Sequence, residues 1–87
     1  MSATFDDLME FPVNFTFRLI TYAREPVVEE CSQVLRSIFG SILNSQTLPS
    51  SSGRFFRLHI TVFATSAAEL YSAYDALKDI DGIKMVI

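Results

Sequence analysis

The residues that most often perform enzyme chemistry are scarce in this sequence, which has one histidine and one cysteine among 87 residues. A zinc site needs several convergent imidazole or thiolate ligands, which His59 and Cys31 cannot supply within one chain. Nucleophilic catalysis needs a base beside the nucleophile. Cys31 falls on the apolar stripe of a predicted helix, where a thiol packs as a small hydrophobic group. We therefore predict no metal, no cofactor and no catalytic residue, and the sequence favours a protein that is not an enzyme.

Other polar groups give weaker signals. Carboxylate pairs occur at Asp6/Asp7, Glu29/Glu30 and Asp79/Asp81. Adjacent residues do not face each other on a helix, so we interpret these pairs as solvated charges or charges favoured by a helix dipole. The segment Pro49–Gly53 holds three serines and a glycine, so its N–H groups could contact an anion. It lacks the second glycine and the lysine of a P-loop, and a hairpin turn is the simpler interpretation.

Composition limits the class of protein and its partners. The length suits one domain, residues 1–87, and the net charge of −3 with only seven scattered basic residues argues against nucleic acid as a partner. A single cysteine excludes an internal disulfide and fits a reducing compartment. The acidic start of the chain shows no secretory signal, and no apolar run approaches the roughly 18–20 residues that span a membrane. We expect a cytoplasmic protein with no membrane contact.

Hydrophobic periodicity predicts the secondary structure. Apolar and polar residues alternate over Asn14–Tyr22 and over residues 54–64, which predicts two strands. Between them, apolar residues at helical spacing predict a helix over 26–39 with one buried stripe, formed by Val27, Cys31, Val34, Leu35 and Ile38. Pro26 suits the first turn of this helix and Gly40 its C-terminal end. Residues 45–48 are predicted to form a short polar strand at a sheet edge.

The segments before the first strand and after residue 64 complete the pattern. Ser66-Ala-Ala-Glu69 is a capping box that starts a second helix, on which Leu70, Tyr74 and Leu77 mark the buried stripe. Asp81-Gly82 is predicted to turn the chain into a last strand with Ile83, Met85 and Ile87. Before Pro12, a short helical turn is predicted to begin near Thr4.

The predicted order is β-α-β-β-α-β, which indicates an α+β ferredoxin-like sandwich with a four-stranded antiparallel sheet and both helices on one face. Right-handed crossovers lead us to expect the first and third strands at the centre, parallel to each other, and the remaining strands at the edges.

Several short motifs resemble a known family. They are the run Leu8-Met9-Glu10-Phe11-Pro12, the loop Pro49-Ser50-Ser51-Ser52-Gly53, the pairs Ile60-Thr61 and Ala64-Thr65, and the single residues Phe15, Tyr74 and Leu77. In combination they resemble the YbeD family of small bacterial proteins, and the likeness covers essentially the whole chain. The resemblance implies a domain of unknown function with a fold like the ACT-type regulatory domains. Some members lie beside lipoate-biosynthesis genes.

The resemblance also implies a candidate ligand region. ACT domains that bind amino acids typically use a glycine-bearing turn after the first strand, whereas residues 21–26 here contain no glycine. Thr21 and Ser52 stand where family members often have glycine and lysine. These two departures count against an ACT-type ligand site. The likeness to ACT domains still implies an alternative function, the sensing of an amino acid or a lipoate-pathway metabolite, with a candidate ligand loop formed by Arg24, Glu25, Ser50, Ser51 and Gly53.

The sheet face away from the helices is the most unusual predicted surface. The strand alternation predicts that it gathers Arg18, Ile20, Tyr22, Phe55, Arg57, His59 and Phe63. Contiguous exposed apolar area usually marks an interface. RNA-binding sheets also display aromatic and basic residues, but residues 54–61 lack their glycine-aromatic signature. The leading hypothesis is a non-catalytic regulatory or interaction module that binds a protein partner or a second copy through this face, as a homodimer for example. His59 is interpreted as an ordinary exposed or interface histidine, with a pH-sensitive contact as the alternative.

Overall fold

A computed structural model describes residues 9–87. Its elements are β1 (Val13–Tyr22), α1 (Glu25–Phe39), β2 (Asn44–Pro49), β3 (Phe55–Ala64), α2 (Ala67–Lys78) and β4 (Ile83–Val86). This is the order that the periodicity predicts, and each boundary lies within a residue or two of the predicted one. The helical turn predicted from Thr4 lies mostly outside the described residues, and residues 9–12 are not helical.

The sheet has the spatial order β2-β3-β1-β4, so β1 and β3 are central as predicted. The expectation that they run parallel is wrong, because they pair antiparallel along their whole length. The physical reason is the hairpin between β2 and β3, which makes those strands antiparallel. The α1 crossover leaves β1 and β2 pointing the same way with β3 inserted between them, so β3 must oppose both.

Alternation along β1 and β3 divides the sheet into two faces. On one face Phe17, Leu19, Leu58 and Ile60 are buried, with exposed fractions of 1% or less. They join residues of both helices in one hydrophobic cluster, so α1 and α2 cover the same face. The helix residues of that cluster are Val27, Cys31, Leu35, Leu70, Ala73 and Leu77. The opposite face carries no helix and is called the open face below.

Helix α1 is bounded as the sequence predicts. Pro26 lies in its first turn, and the N–H of Gly40 closes the helix on the carbonyl of Arg36 at 2.8 Å. Its buried stripe contains Val27, Cys31 and Leu35, as predicted, while Val34 and Ile38 are only partly buried. Burial raises the pKa of the Cys31 thiol to about 11, which keeps it protonated and inert at neutral pH.

The N-terminus of α2 is capped through two reciprocal contacts. The Ser66 hydroxyl accepts the backbone N–H of Glu69 at 3.3 Å. The Glu69 carboxylate reaches back and accepts both the N–H and the hydroxyl of Thr65, each at 2.7 Å. These hydrogen bonds favour the ionised form, so they lower the pKa of Glu69 below its ordinary value of 4.5.

This lowered pKa predicts a pH-dependent contribution to stability. Glu69 stabilises the fold fully above its ordinary pKa of 4.5, and the contribution is lost as the pH falls through the lower pKa of the folded state. We expect wild type to resist urea better than Glu69→Gln at pH 7, and the difference to shrink as the pH falls toward 3. Urea unfolding of both proteins across that range measures it. A difference that stays constant with pH contradicts the prediction.

Candidate interaction surface

The structure brings all seven predicted surface residues onto the open face. Antiparallel pairing of β1 with β3 sets Arg18 opposite His59, Ile20 opposite Arg57, and Tyr22 opposite Phe55. Phe63 lies opposite Asn14 near the other end of the strands. Tyr22 and Phe63 expose 42% and 48% of their surface. The sequence pattern therefore placed these residues on the correct side of the sheet.

One row of the open face crosses all four strands. Leu48 of β2 pairs with Arg57, Arg57 with Ile20, and Ile20 with Met85 of β4. Leu48 and Met85 expose 36% and 50% of their surface, so both ends of this row are apolar and accessible. Neither residue was predicted at this surface, because their place beside β3 and β1 depends on edge-strand register. With adjacent strands about 4.8 Å apart, the row is about 14 Å wide.

Next to this row lies a group that we name the cation–aromatic cluster: Tyr22, Phe55, Arg24, Arg54 and Lys84. The rings of Tyr22 and Phe55 are 5.5 Å apart at an interplanar angle of 37°. The Arg24 guanidinium lies over the Tyr22 ring at 5.3 Å. Lys84 and Arg54 approach the Phe55 ring at 5.4 and 6.0 Å. Each contact falls within the range of a cation–π attraction, so the cluster holds three cations against two aromatic rings.

A register shift brings Lys84 to the cluster. Along β4, Met85 pairs with Ile20 and Ile83 pairs with Thr21, so Lys84 is left between two paired positions. Bulges of this kind redirect a side chain from its regular alternation. Ile83 and Val86 pack against the core, whereas Lys84 contacts Phe55 on the open face.

The middle of the open face is polar. The hydroxyls of Thr16 and Thr61 form a hydrogen bond of 2.7 Å across β1 and β3. Gln46 lies beside His59 at the next paired position. Phe63 lies beyond these groups, eight positions along β3 from Phe55, which corresponds to about 27 Å. Phe63 is therefore separated from the cation–aromatic cluster, and the predicted residues do not form one continuous aromatic patch.

Charge is divided between the two sides of the molecule. None of the four strands contains an aspartate or glutamate, whereas the open face carries Arg18, Arg57 and Lys84. Across residues 9–87 the acids other than Glu10 lie in the helices or the turn after α2; they are Glu25, Glu29, Glu30, Glu69, Asp75, Asp79 and Asp81. A chain with net charge −3 thus presents a cationic sheet face and an acidic helix layer.

The predicted ligand region is partly assembled. The N–H of Ala23 donates to the carbonyl of Arg54 at 3.1 Å, which ties the β1–α1 turn to the β2–β3 hairpin. Arg24 and Glu25, at the start of α1, therefore lie near the hairpin loop. Thr21, in the strand just before, is fully buried, and its hydroxyl donates to the Tyr22 carbonyl at 2.9 Å.

The hairpin loop uses much of its own hydrogen-bonding capacity. The N–H of Gly53 donates to the Ser50 carbonyl at 3.0 Å, and the N–H of Phe55 donates to the Ser50 hydroxyl at 3.2 Å. The N–H of Arg54 donates to the Ser52 hydroxyl at 3.3 Å, while Ser51 is exposed. These contacts are those of a tight hairpin, and they engage N–H groups that an anion would otherwise use.

Neither a metal-ligand cluster nor a membrane-spanning helix is found among the described residues. Over residues 9–87, no group of three or more His, Cys, Asp or Glu side chains could hold a metal ion. In the same part of the chain, neither helix has the length and apolarity needed to cross a membrane.

Comparison with known proteins identifies the family. Residues 6–87 match the family described as "Protein of unknown function (DUF493)". The chain belongs to the DUF493 family. A UPF0250 protein of Serratia proteamaculans is 30% identical over 87 residues, which cover 100% of both chains. A UPF0250 protein of Vibrio vulnificus is 29% identical over 85 residues, covering 98% of this chain and 92% of the relative. The YbeD-like resemblance seen in the sequence is confirmed.

Solved structures confirm the fold of this DUF493 protein. The solution structure of protein HP0495 from H. pylori aligns with a TM-score of 0.79 at 10% identity, covering 91% of this chain and 85% of that one. The ACT domain from GTP pyrophosphokinase of Chlorobium tepidum aligns with a TM-score of 0.69 at 16% identity, covering 85% and 94%. At these identities the likeness shows a ferredoxin-like, ACT-like fold.

Proposed function

We propose that this DUF493 protein is a non-catalytic interaction module of the bacterial cytoplasm that binds a protein partner through its open face. The observation that carries the proposal is the cation–aromatic cluster beside the exposed row Leu48–Arg57–Ile20–Met85. Tyrosine, phenylalanine, methionine and arginine are the residue types enriched at protein interfaces. Their concentration on a helix-free face supports a docking surface.

The arrangement of this surface also suits binding. Arg24, Arg54 and Lys84 hold their charges against aromatic rings, so their side chains are partly ordered before a partner arrives. Ordering side chains in advance lowers the entropy lost on association. Exposed apolar side chains at the ends of the neighbouring row, Leu48 and Met85, would be removed from water by a partner.

An alternative function is the sensing of a small carboxylate, such as an amino acid or a lipoate-pathway metabolite. The observation that favours it is the hydrogen bond between Ala23 and Arg54, which holds two arginine-bearing loops together. Guanidinium groups suit carboxylate recognition. Thermal-shift screening separates the two functions, since a millimolar carboxylate that stabilises wild type but not Arg24→Gln would favour the sensor.

Site-specific photocrosslinking tests the interaction module. The residues Tyr22 and Tyr71 expose 42% and 43% of their surface, but Tyr22 lies on the open face and Tyr71 on α2. The test places p-benzoylphenylalanine at position 22 or position 71 in separate proteins. A third protein carries it in place of Met85, a second open-face position. In cells that produce the protein, we expect protein adducts from positions 22 and 85 and few from position 71.

Circular dichroism of the three substituted proteins controls for folding. Adducts that form equally from positions 22, 85 and 71, or from position 71 alone, contradict the proposed docking surface. The absence of adducts at all three positions contradicts it as well.

A further inference from the structure

The charge of the open face limits what can occupy it. Arg18, Arg57 and Lys84 lie on this face, and Arg24 and Arg54 lie against its aromatic rings. These are five of the seven basic residues in the chain, and the four strands contribute no acid. A partner that covers this face must supply negative charge, because like or unpaired charges in an interface are unfavourable.

A second copy does not meet that requirement on the same face. A two-fold pairing places the same patch on both partners, so it would bring the Arg57 and Lys84 side chains of two chains into one interface without an acid. Pairing the open face of one chain with the acidic helix layer of the next would satisfy charge. That arrangement is head-to-tail. Because the open face and the helix layer lie on opposite sides of the sheet, successive copies would stack in a line and extend rather than close into a small ring.

The negative charge of single-stranded RNA suits this cationic face, but the aromatic rings of the face are poorly arranged for stacking with RNA bases. RNA binding on a sheet depends on bases that stack on open aromatic faces. Here the Tyr22 ring is approached by Arg24, and the Phe55 ring by Lys84 and Arg54. Exposed cations therefore already contact both rings, and a base that stacks there would compete with them.

These observations define the partner, and the inference rests on the proposed function. We propose that the open face binds an acidic polypeptide segment that also carries apolar side chains. The segment lies across the cation–aromatic cluster and the row from Leu48 to Met85. Its carboxylates pair with Arg57, Lys84 and the cluster arginines, while its apolar side chains cover Ile20 and Met85. At about 3.3 Å per residue, four to five extended residues span the row of about 14 Å.

A random peptide library tests the chemistry of this partner directly, whichever protein carries the segment. Twelve-residue peptides displayed on phage are selected on the full chain, and the most enriched peptide is synthesised with a fluorescent label. We expect enriched peptides to combine Asp or Glu with Leu, Phe or similar apolar residues. We expect Arg57→Glu to lower the affinity for the labelled peptide on the order of tenfold or more, as measured by fluorescence anisotropy.

Arg36→Glu is the matched control, because Arg36 is exposed and belongs to the last turn of α1, away from the open face. It is expected to change the affinity by less than about twofold, since surface charges at a distance are screened by salt. Circular dichroism confirms that both variants fold. Equal weakening by Arg36→Glu and Arg57→Glu overturns the inference.

Three further outcomes also overturn it. The first is enrichment of neutral or basic peptides, or of no peptide. The second is that a labelled 20-nucleotide poly(U) RNA binds more tightly than the labelled peptide, that this binding depends on salt, and that Arg57→Glu abolishes it. The third is a dimer in sedimentation at micromolar concentration that Tyr22→Glu dissociates. Any of these outcomes can occur while photocrosslinking from positions 22 and 85 still succeeds. In that case the docking surface stands and only the acidic segment is excluded as its partner.

Discussion

Gly82→Ala is expected to lower the free energy of unfolding by about 2–5 kcal/mol, the sum of two effects. Gly82 has a φ of +100°, a left-handed conformation that costs a residue with a Cβ about 1–2 kcal/mol. An added Cβ would also lie 2.6 Å from Cγ2 of Val27 in α1, and overpacking of this kind costs about 1–3 kcal/mol. Urea unfolding followed by circular dichroism measures the loss.

Gly53→Ala is the matched control. Gly53 also has a positive φ, +75°, but an added Cβ would meet nothing within 4 Å. Only the conformational cost of about 1–2 kcal/mol is expected there. Removing the Val27 γ-carbons should make the Gly82 substitution less harmful, so Val27→Ala and Gly82→Ala together should cost less than the sum of their separate losses. Equal losses for Gly82→Ala and Gly53→Ala, with additive effects at Val27, would contradict the steric explanation.

This glycine also supports the candidate surface. The carbonyl of Gly82 accepts the N–H of Tyr22 at 2.9 Å, so the turn before β4 is fixed to the end of β1. The same turn precedes Lys84, which contacts Phe55. A disturbed turn is therefore expected to displace Lys84 from the cation–aromatic cluster as well as to weaken the fold.

Local patterns in the sequence were sufficient to predict the elements and their faces. Phe17 and Leu19 alternate with Arg18 and Ile20, and a two-residue period fixes which side chains share a face of a strand. Pro26 and the Ser66–Glu69 capping box mark helix starts through the orphan N–H groups of the first turn. These signals do not depend on residues distant in the sequence.

Local patterns did not predict how strands that are distant in the sequence are arranged relative to one another. The direction of β3 relative to β1 follows from the β2–β3 hairpin and the α1 crossover together, and the prediction of parallel strands was wrong. Lys84 reaches the open face through a register shift between β1 and β4, which no alternation along β4 indicates. The contact of Arg24 with Tyr22 depends on how the chain turns into α1. Pairing register and turn geometry decide such contacts.

The two faces of the sheet predict opposite effects for two phenylalanines in the central strands. Phe17 has no exposed surface and meets Phe15 at 4.9 Å and Tyr74 at 5.2 Å in edge-to-face geometry. Phe17→Ala is therefore expected to cost about 3–5 kcal/mol in urea unfolding, from lost burial and the cavity left behind. Phe63 exposes 48% of its surface, so Phe63→Ala is expected to cost about 1 kcal/mol or less.

The comparison of Phe17 with Phe63 tests the premise of the docking surface, because a strand shifted by one residue would exchange the two faces. If Phe17→Ala does not fold, Phe17→Leu should still show a loss larger than that of Phe63→Ala. A larger loss for Phe63→Ala would mean that Phe63 packs under the helices. Arg18, Tyr22 and Arg57, which share the face of Phe63 through the pairing of β1 with β3, would then be buried rather than available to a partner.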